Sequence, residues 1–225
     1  MKLVGFGCSF TYGSELLNPE LLENYSGNGL DVWNNFYENK PYREQSVWLG
    51  QLAKLFDCGY DNRAEPACSN YAISQLFYDW FQSRDTQEEC VVCIGWTAPD
   101  RMSWWDDGWV HSGFISNEVE KRFKRSFKDW VAHPNRNNNL TNQAKLFVNS
   151  VCQINDIDII QFDALPNTVE NNYSNYFCKG LSMQQVLLKE EELREETYFA
   201  EGGHPNEQGH KWFAKRLRKF ASLRV

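Results

Sequence analysis

Long apolar runs are missing from this sequence: nothing in its 225 residues approaches the roughly 18 consecutive apolar positions that a bilayer-spanning helix needs. A secretory leader is not expected either, because one lysine precedes only about five or six apolar residues before the polar chemistry of Cys8 and Ser9 begins. An excess of positive charge is also missing. Lys and Arg number 23 against 30 Asp and Glu, a net charge of −7, and this argues against a nucleic-acid partner, since phosphate binding needs clustered cations. The basic residues near the C-terminus (Lys211, Lys215, Arg216, Arg218, Lys219) read as the solvated face of a last helix. Metal-ligand spacing is absent: His111 and His133 have no acid or cysteine suitably placed, so neither a metal nor another cofactor is expected. The seven cysteines are odd in number and scattered. Cys90 and Cys93 form a CxxC inside the strand-like CVVCIG, with no second Cys or His pair nearby. A buried, reduced set is therefore expected, and with it a cytoplasmic setting. Internal repeats and low-complexity tracts are absent.

What is present fits one globular domain over residues 1–225, long enough to bury a single core. Apolar residues make up 42% and charged residues 24%, outside the disordered range. Aromatics reach 15% with nine tryptophans, more than a core of this size needs, so some rings are expected to line a cleft. The pattern predicts strands at Lys2–Gly7, Gly59–Asn62, Cys90–Gly95 and Ile157–Phe162. It predicts helices over 45–56, 71–82 (capped by Ser69), 117–132, 142–154 and 206–223, the last with Pro205 in its first turn. An insertion loop is expected over 18–42. Strands alternating with helices imply a three-layer α/β/α arrangement around a central, mostly parallel sheet.

Two segments at opposite ends of the chain carry chemistry. The first is Gly7-Cys8-Ser9-Phe10-Thr11-Tyr12-Gly13, at the carboxyl end of the first strand, where open α/β sheets place their ligands. Small residues before Ser9 permit a tight turn that exposes a hydroxyl and backbone N–H groups. The bland alternative is a strand-to-loop turn with a serine cap. The second is Glu201-Gly202-Gly203-His204-Pro205-Asn206-Glu207-Gln208-Gly209-His210. A histidine just before a helix-starting proline can project into a cleft, and Glu201 could fix its tautomer from the far ring nitrogen. The alternative here is a polar helix cap. His210, one turn into the helix, reads as structural.

Taken together, the two segments resemble the blocks of the SGNH/GDSL-like hydrolase superfamily. Its G-D-S-like turn is matched by Gly7-Cys8-Ser9, and its acid-x-x-His by Glu201 to His204. The resemblance implies a flavodoxin-like fold and a serine esterase or acyl hydrolase. Ser9 would attack an ester carbonyl, His204 would take its proton, and Glu201 would orient the histidine. It also implies oxyanion donors in two middle blocks. The backbone N–H of Ala67, in Pro66-Ala67-Cys68-Ser69-Asn70, stands where the family has glycine, a harmless change if the local φ is negative. Thr97, after Gly95-Trp96, stands where the family has an asparagine donor, and Asn70 is a candidate substitute.

Trp96 and the tryptophans that follow suit the stacking of a sugar face or the packing of an acyl chain, so a small-molecule or carbohydrate ester is the expected partner. Asp100 and Arg101 either brace the Trp96 loop as an ion pair or touch substrate. The blocks are also similar to those of bacteriophage hydrolase-like proteins, which would place the chain in or near a virion. The Thr97 and Ala67 departures keep open a binding or structural module that has the fold with little or no turnover. An acyltransferase shares the same triad.

Overall fold

A computed structural model describes residues 1–22, 37–105, 109–111, 134–167 and 173–221. In chain order its elements are β1 (Lys2–Gly7), α1 (Ser9–Tyr12), α2 (Pro19–Leu22), α3 (Lys40–Ser46), α4 (Trp48–Phe56), β2 (Gly59–Asn62), α5 (Asn70–Ser83) and β3 (Cys90–Trp96). There follow β4 (Ser103–Trp105), β5 (Trp109–His111), α6 (Pro134–Ile154), β6 (Asp158–Asp163), α7 (Met183–Arg194) and α8 (Glu207–Ala221). The central sheet has the order β2-β1-β3-β6 and is parallel throughout, while β4 and β5 form a separate antiparallel hairpin.

Side-chain alternation along β1 builds the two helical layers. Gly5 opens one face to α4, whose Leu49 Cδ2 would lie 2.4 Å from a Cβ added there. Phe6, its neighbour, points the other way and meets Phe77 and Trp80 of α5, with ring centroids 5.7 Å away in both cases. On the α4 side, Phe162 of β6 joins Trp48 at 5.1 Å and Phe213 of α8 at 4.8 Å. Rings this size contribute most of the apolar area removed from water, and truncating a buried Phe to Ala typically costs about 3–5 kcal/mol. The two central strands, β1 and β3, are apolar on both faces, as a covered parallel sheet requires.

Polar contacts tie α6 to the sheet. Lys145 is buried with its Nζ 3.1 Å from Asp163 Oδ1 and 2.9 Å from Tyr176 Oη, while Tyr176 Oη also donates to Asp163. Burial lowers the Lys145 pKa, and the Asp163 carboxylate partly restores it. Gln161 bridges Trp96 Nε1 (3.0 Å), Asn149 and Asn175. All seven cysteines are unpaired: Cys8, Cys68, Cys93 and Cys152 are buried, and the other three are half-buried.

Several expectations shift. The helix expected over 45–56 breaks at Val47, which is extended (φ −66°, ψ 155°), and the Trp48 N–H donates to buried His210 Nδ1 at 3.2 Å. The expected loop over 18–42 ends in α3, and residues 23–36 lie outside the described residues. The helix expected from 142 begins at Pro134, its Asn-rich first turns being too polar to show a stripe. Helix α7 was not expected. The last helix starts at Glu207 rather than at 206. Asn206 accepts the Gly209 N–H (2.9 Å), and Pro205 pairs as an isolated bridge with Phe199 instead of opening the helix. The helix expected over 117–132, together with His133, lies outside the described residues. No helix among the described residues is long and apolar enough to cross a membrane.

Candidate active site

The strand order sets the location. The chain runs from β1 to β2 on one side and returns to β3 on the other, so the crevice for ligands falls between the carboxyl ends of β1 and β3. Ser9 follows β1 and Thr97 follows β3.

Cys8 is extended (φ −93°, ψ −161°), and its carbonyl accepts the Thr11 and Tyr12 N–H groups, both at 2.9 Å. The N–H groups of Ser9 and Phe10 therefore stand ahead of the first helical bonds. The turn can sit this close to β3 because Gly7 has no side chain: a Cβ there would fall 2.2 Å from Thr11 Oγ1 and 2.9 Å from the Gly95 carbonyl. Ser9 itself is nearly buried.

His204 is carried on a tight turn closed by Ala200 N–H to His204 O (2.8 Å) and Gly203 N–H to Ala200 O (3.0 Å). Its ring packs on Phe10, the residue after Ser9, at 5.6 Å between centroids. The carboxylate against its Nδ1 comes from Glu15, not from Glu201. Glu15 Oε2 lies 2.6 Å from His204 Nδ1 and accepts the His204 backbone N–H at 3.0 Å, while Oε1 accepts the Gly202 N–H at 2.8 Å. The Glu15 side chain is 3% exposed and that of His204 is 20% exposed. A carboxylate can only accept, so Nδ1 carries the proton and Nε2 is left as the acceptor.

Glu201 is exposed on the outer edge of the same turn, so the acid-x-x-His spacing does not supply the contact. The reason is local. The loop folds its backbone N–H groups inward onto Glu15, and Gly202 is needed because a Cβ there would lie 2.4 Å from the Glu15 carboxylate. Glu15 also adopts φ +67°, a left-handed conformation that costs a non-glycine residue about 1–2 kcal/mol. Sequence reasoning missed it because no spacing rule links residue 15 to residue 204. The signal that existed was a lone carboxylate directly after the nucleophile segment.

The middle blocks differ from expectation. Ala67 has φ +59°, not the negative value under which its exchange for glycine is free of strain. Asn70 is not available as a donor: its amide gives hydrogen bonds to Thr97 O (2.9 Å) and Thr141 Oγ1 (3.1 Å) and its oxygen accepts the Thr97 N–H (2.8 Å). Thr97 is fully buried and its Oγ1 has no hydrogen-bond partner. Trp96 is a core residue that donates to Gln161, so it cannot stack on a substrate. The side chains of Trp104, Trp105, Trp109 and His111 lie outside the described residues.

His210 is wholly buried next to His204. Burial chiefly, and then its electrostatic interaction with His204, push its pKa down to about 3, so it stays neutral. The thiol of Cys68, between Ala67 and the α5 cap Ser69, is raised well above the usual thiol value. Burial is the main cause, followed by Glu65 and Cys8, and Arg101 opposes them. Among the described residues, no ion pair joins Asp100 to Arg101.

This arrangement places the chain in a fold class: a parallel sheet flanked by helices, the fold it shares with solved structures of esterases. Among solved structures it is similar to a carbohydrate esterase whose active site displays divergent catalytic and non-catalytic binding functions (15% identity, TM-score 0.54, 99% of this chain and 65% of that one). It is also similar to an acetyl xylan esterase from the rumen bacterium Butyrivibrio proteoclasticus (12% identity, TM-score 0.51, 99% and 63%). A lipolytic G-D-S-L family protein from Veillonella parvula matches at 13% identity and TM-score 0.42 over the full length of both chains. The chain thus spans just under two thirds of each of the two esterases. No protein-family model matches the sequence, and no curated protein does.

Proposed function

We propose that the chain is a serine ester hydrolase in which Ser9 is the nucleophile, His204 the base and Glu15 the orienting acid. The observation that carries this reading is the Glu15–His204 contact at 2.6 Å, with the imidazole packed beside the Ser9 turn. Glu15 holds the Nδ1–H tautomer and would stabilise the imidazolium formed when His204 Nε2 takes the Ser9 proton. Ser9 Oγ would then bond to the ester carbonyl carbon. The tetrahedral oxyanion would be met by the backbone N–H groups of Ser9 and Ala67. Its collapse expels the alcohol, which takes the proton from His204 and leaves an acyl-Ser9 that water cleaves by the same steps. The expected substrate is a small or carbohydrate ester.

A second reading, a module that binds esters with little turnover, is favoured by one observation. Among the described residues, neither candidate for the expected asparagine donor is available, since the Asn70 amide is engaged with Thr97 and Thr141 and Thr97 is buried. Loss of one oxyanion donor costs roughly a hundred- to a thousandfold in rate. Labelling of wild type and Ser9→Ala with a fluorophosphonate probe separates the two. Labelling that disappears in the variant supports the hydrolase, and a folded wild type that does not label supports the module.

A further inference from the structure

A cleft of about 260 Å³ opens where the segment after β3 crosses the N-terminal ends of α5 and α6, lined among others by Ser69, Asn70, Arg101, Ser103, Asn137 and Thr141. Two of its polar groups are unmatched. Asn137 is 4% exposed, and its Oδ1 is buried without a hydrogen-bond partner. The Nη1 of Arg101 is buried without one as well. Leaving such groups unpaired costs about 1–3 kcal/mol each, more for a charged donor, so a ligand that supplied their partners would recover that cost. The cleft lies on the side of the candidate active site: Asn70, which lines it, also holds the Thr97 backbone at the carboxyl end of β3.

The two orphans ask for different partners. Arg101 needs an acceptor, and its planar fork matches a carboxylate. The positive ends of α5 and α6, helices of 14 and 21 residues, add to the preference for negative charge. Asn137 Oδ1 needs a donor, which a hydroxyl supplies and a fully ionised phosphate does not. We propose that this cleft recognises a carboxylate with a neighbouring hydroxyl, so that the ester processed at Ser9 is carried on an acidic sugar. The proposal rests on the reading of Ser9 as nucleophile for its place in catalysis, but the binding it claims does not.

The test is calorimetric titration of the wild-type chain with D-galacturonate and with D-galactose, which differ at the carboxylate. The expected result is galacturonate binding at least about tenfold tighter than galactose, the range of one charge-assisted hydrogen bond. That preference should vanish in Arg101→Gln, and Asn137→Asp should weaken galacturonate alone by placing like charge beside it. No detectable galacturonate binding, or equal binding of the two sugars, overturns the proposal in the wild type without recourse to any variant. A preference that survives in folded Arg101→Gln overturns it also. Because neither sugar is a substrate, failure here leaves fluorophosphonate labelling of Ser9 untouched, and failure of labelling leaves the titration interpretable.

Discussion

Replacing Glu15 by glutamine should separate the acid that contacts His204 from the one its spacing suggested. Glu15 Oε2 takes both His204 donors and Oε1 takes the Gly202 N–H, so a glutamine has one oxygen for two positions. With its oxygen toward His204, its NH₂ opposes the Gly202 N–H, which leaves one buried donor unmet. The expected cost is about 1–3 kcal/mol, a fall in melting temperature of roughly 2–10 °C for a chain of this size. The larger effect is on rate. A neutral amide cannot stabilise the imidazolium, and it can hold the wrong tautomer, a defect worth about 10⁴ in triads of this design. The expected loss in kcat/KM for p-nitrophenyl acetate, and in the fluorophosphonate labelling rate, is therefore about 10²–10⁴. Glu201→Gln, on an exposed side chain, should stay within about 0.5 kcal/mol and about threefold of wild type. The reasoning is refuted if Glu201→Gln loses a hundredfold or so while Glu15→Gln keeps wild-type labelling.

Four further outcomes follow from the same geometry. Ala67→Gly should raise stability by about 0.5–1 kcal/mol, since φ +59° strains alanine by more than glycine loses in chain entropy; a lower melting temperature contradicts this. Thr97→Val removes a buried hydroxyl that has no partner, so stability should be unchanged or up by about 1 kcal/mol, with labelling unaffected; a hundredfold or greater loss of labelling would identify Thr97 as an oxyanion donor. Asn70→Ala frees the Thr97 N–H, the Thr97 carbonyl and the Thr141 hydroxyl inside the protein and should cost about 2–4 kcal/mol by denaturant titration; a loss below about 1 kcal/mol would mean water fills the gap. His210 has a folded pKa of about 3, below the unfolded value of 6.5, so the unfolded chain binds the extra proton between them. Stability should thus be full above pH 6.5 and fall as pH drops, by about 2 kcal/mol at pH 5 from this residue. A His210→Gln variant should show a slope flatter by that amount, and identical slopes would sink the assignment.

Fold class was legible because hydrophobic runs and their stops are local. KLVGFG and CVVCIG are short apolar stretches ended by small residues, and they became the two central strands β1 and β3. The α5 boundary was readable from the Ser69 cap, which accepts the Ala72 N–H. The α7 helix was also written locally, as the capping box Ser182-x-x-Gln185, but its charged body lacks a clear apolar stripe, so a search by periodicity passes over it. The break at Val47 could not be read locally. Both flanking segments are helical in pattern, and what separates them is a buried imidazole from residue 210 that claims the Trp48 N–H. Here a tertiary contact overrides a propensity that by itself favours continuing the helix.

The site divides along the same line. Ser9 and His204 could be proposed from the sequence because each is marked by its own neighbours, a small-residue turn after a strand and a histidine ahead of a helix. Their partners are fixed by contacts across the fold. Glu15 reaches a loop 189 positions away, and only the packed positions of β1 and α8 bring the two together. Glu201 satisfied the spacing, yet on this turn the side chain at 201 points outward while the N–H groups of residues 202 and 204 point in. The Gly202-Gly203 pair ahead of His204 has a specific use. Gly203 takes φ +86° to close the turn, and Gly202 leaves room for the carboxylate that the turn encloses. A side chain at Gly202 would push Glu15 from the imidazole even with Ser9, His204 and Glu15 all unchanged. On the proposed reading of the site, catalysis would therefore depend on the absence of a Cβ at residue 202 as well as on the three side chains that would carry the chemistry.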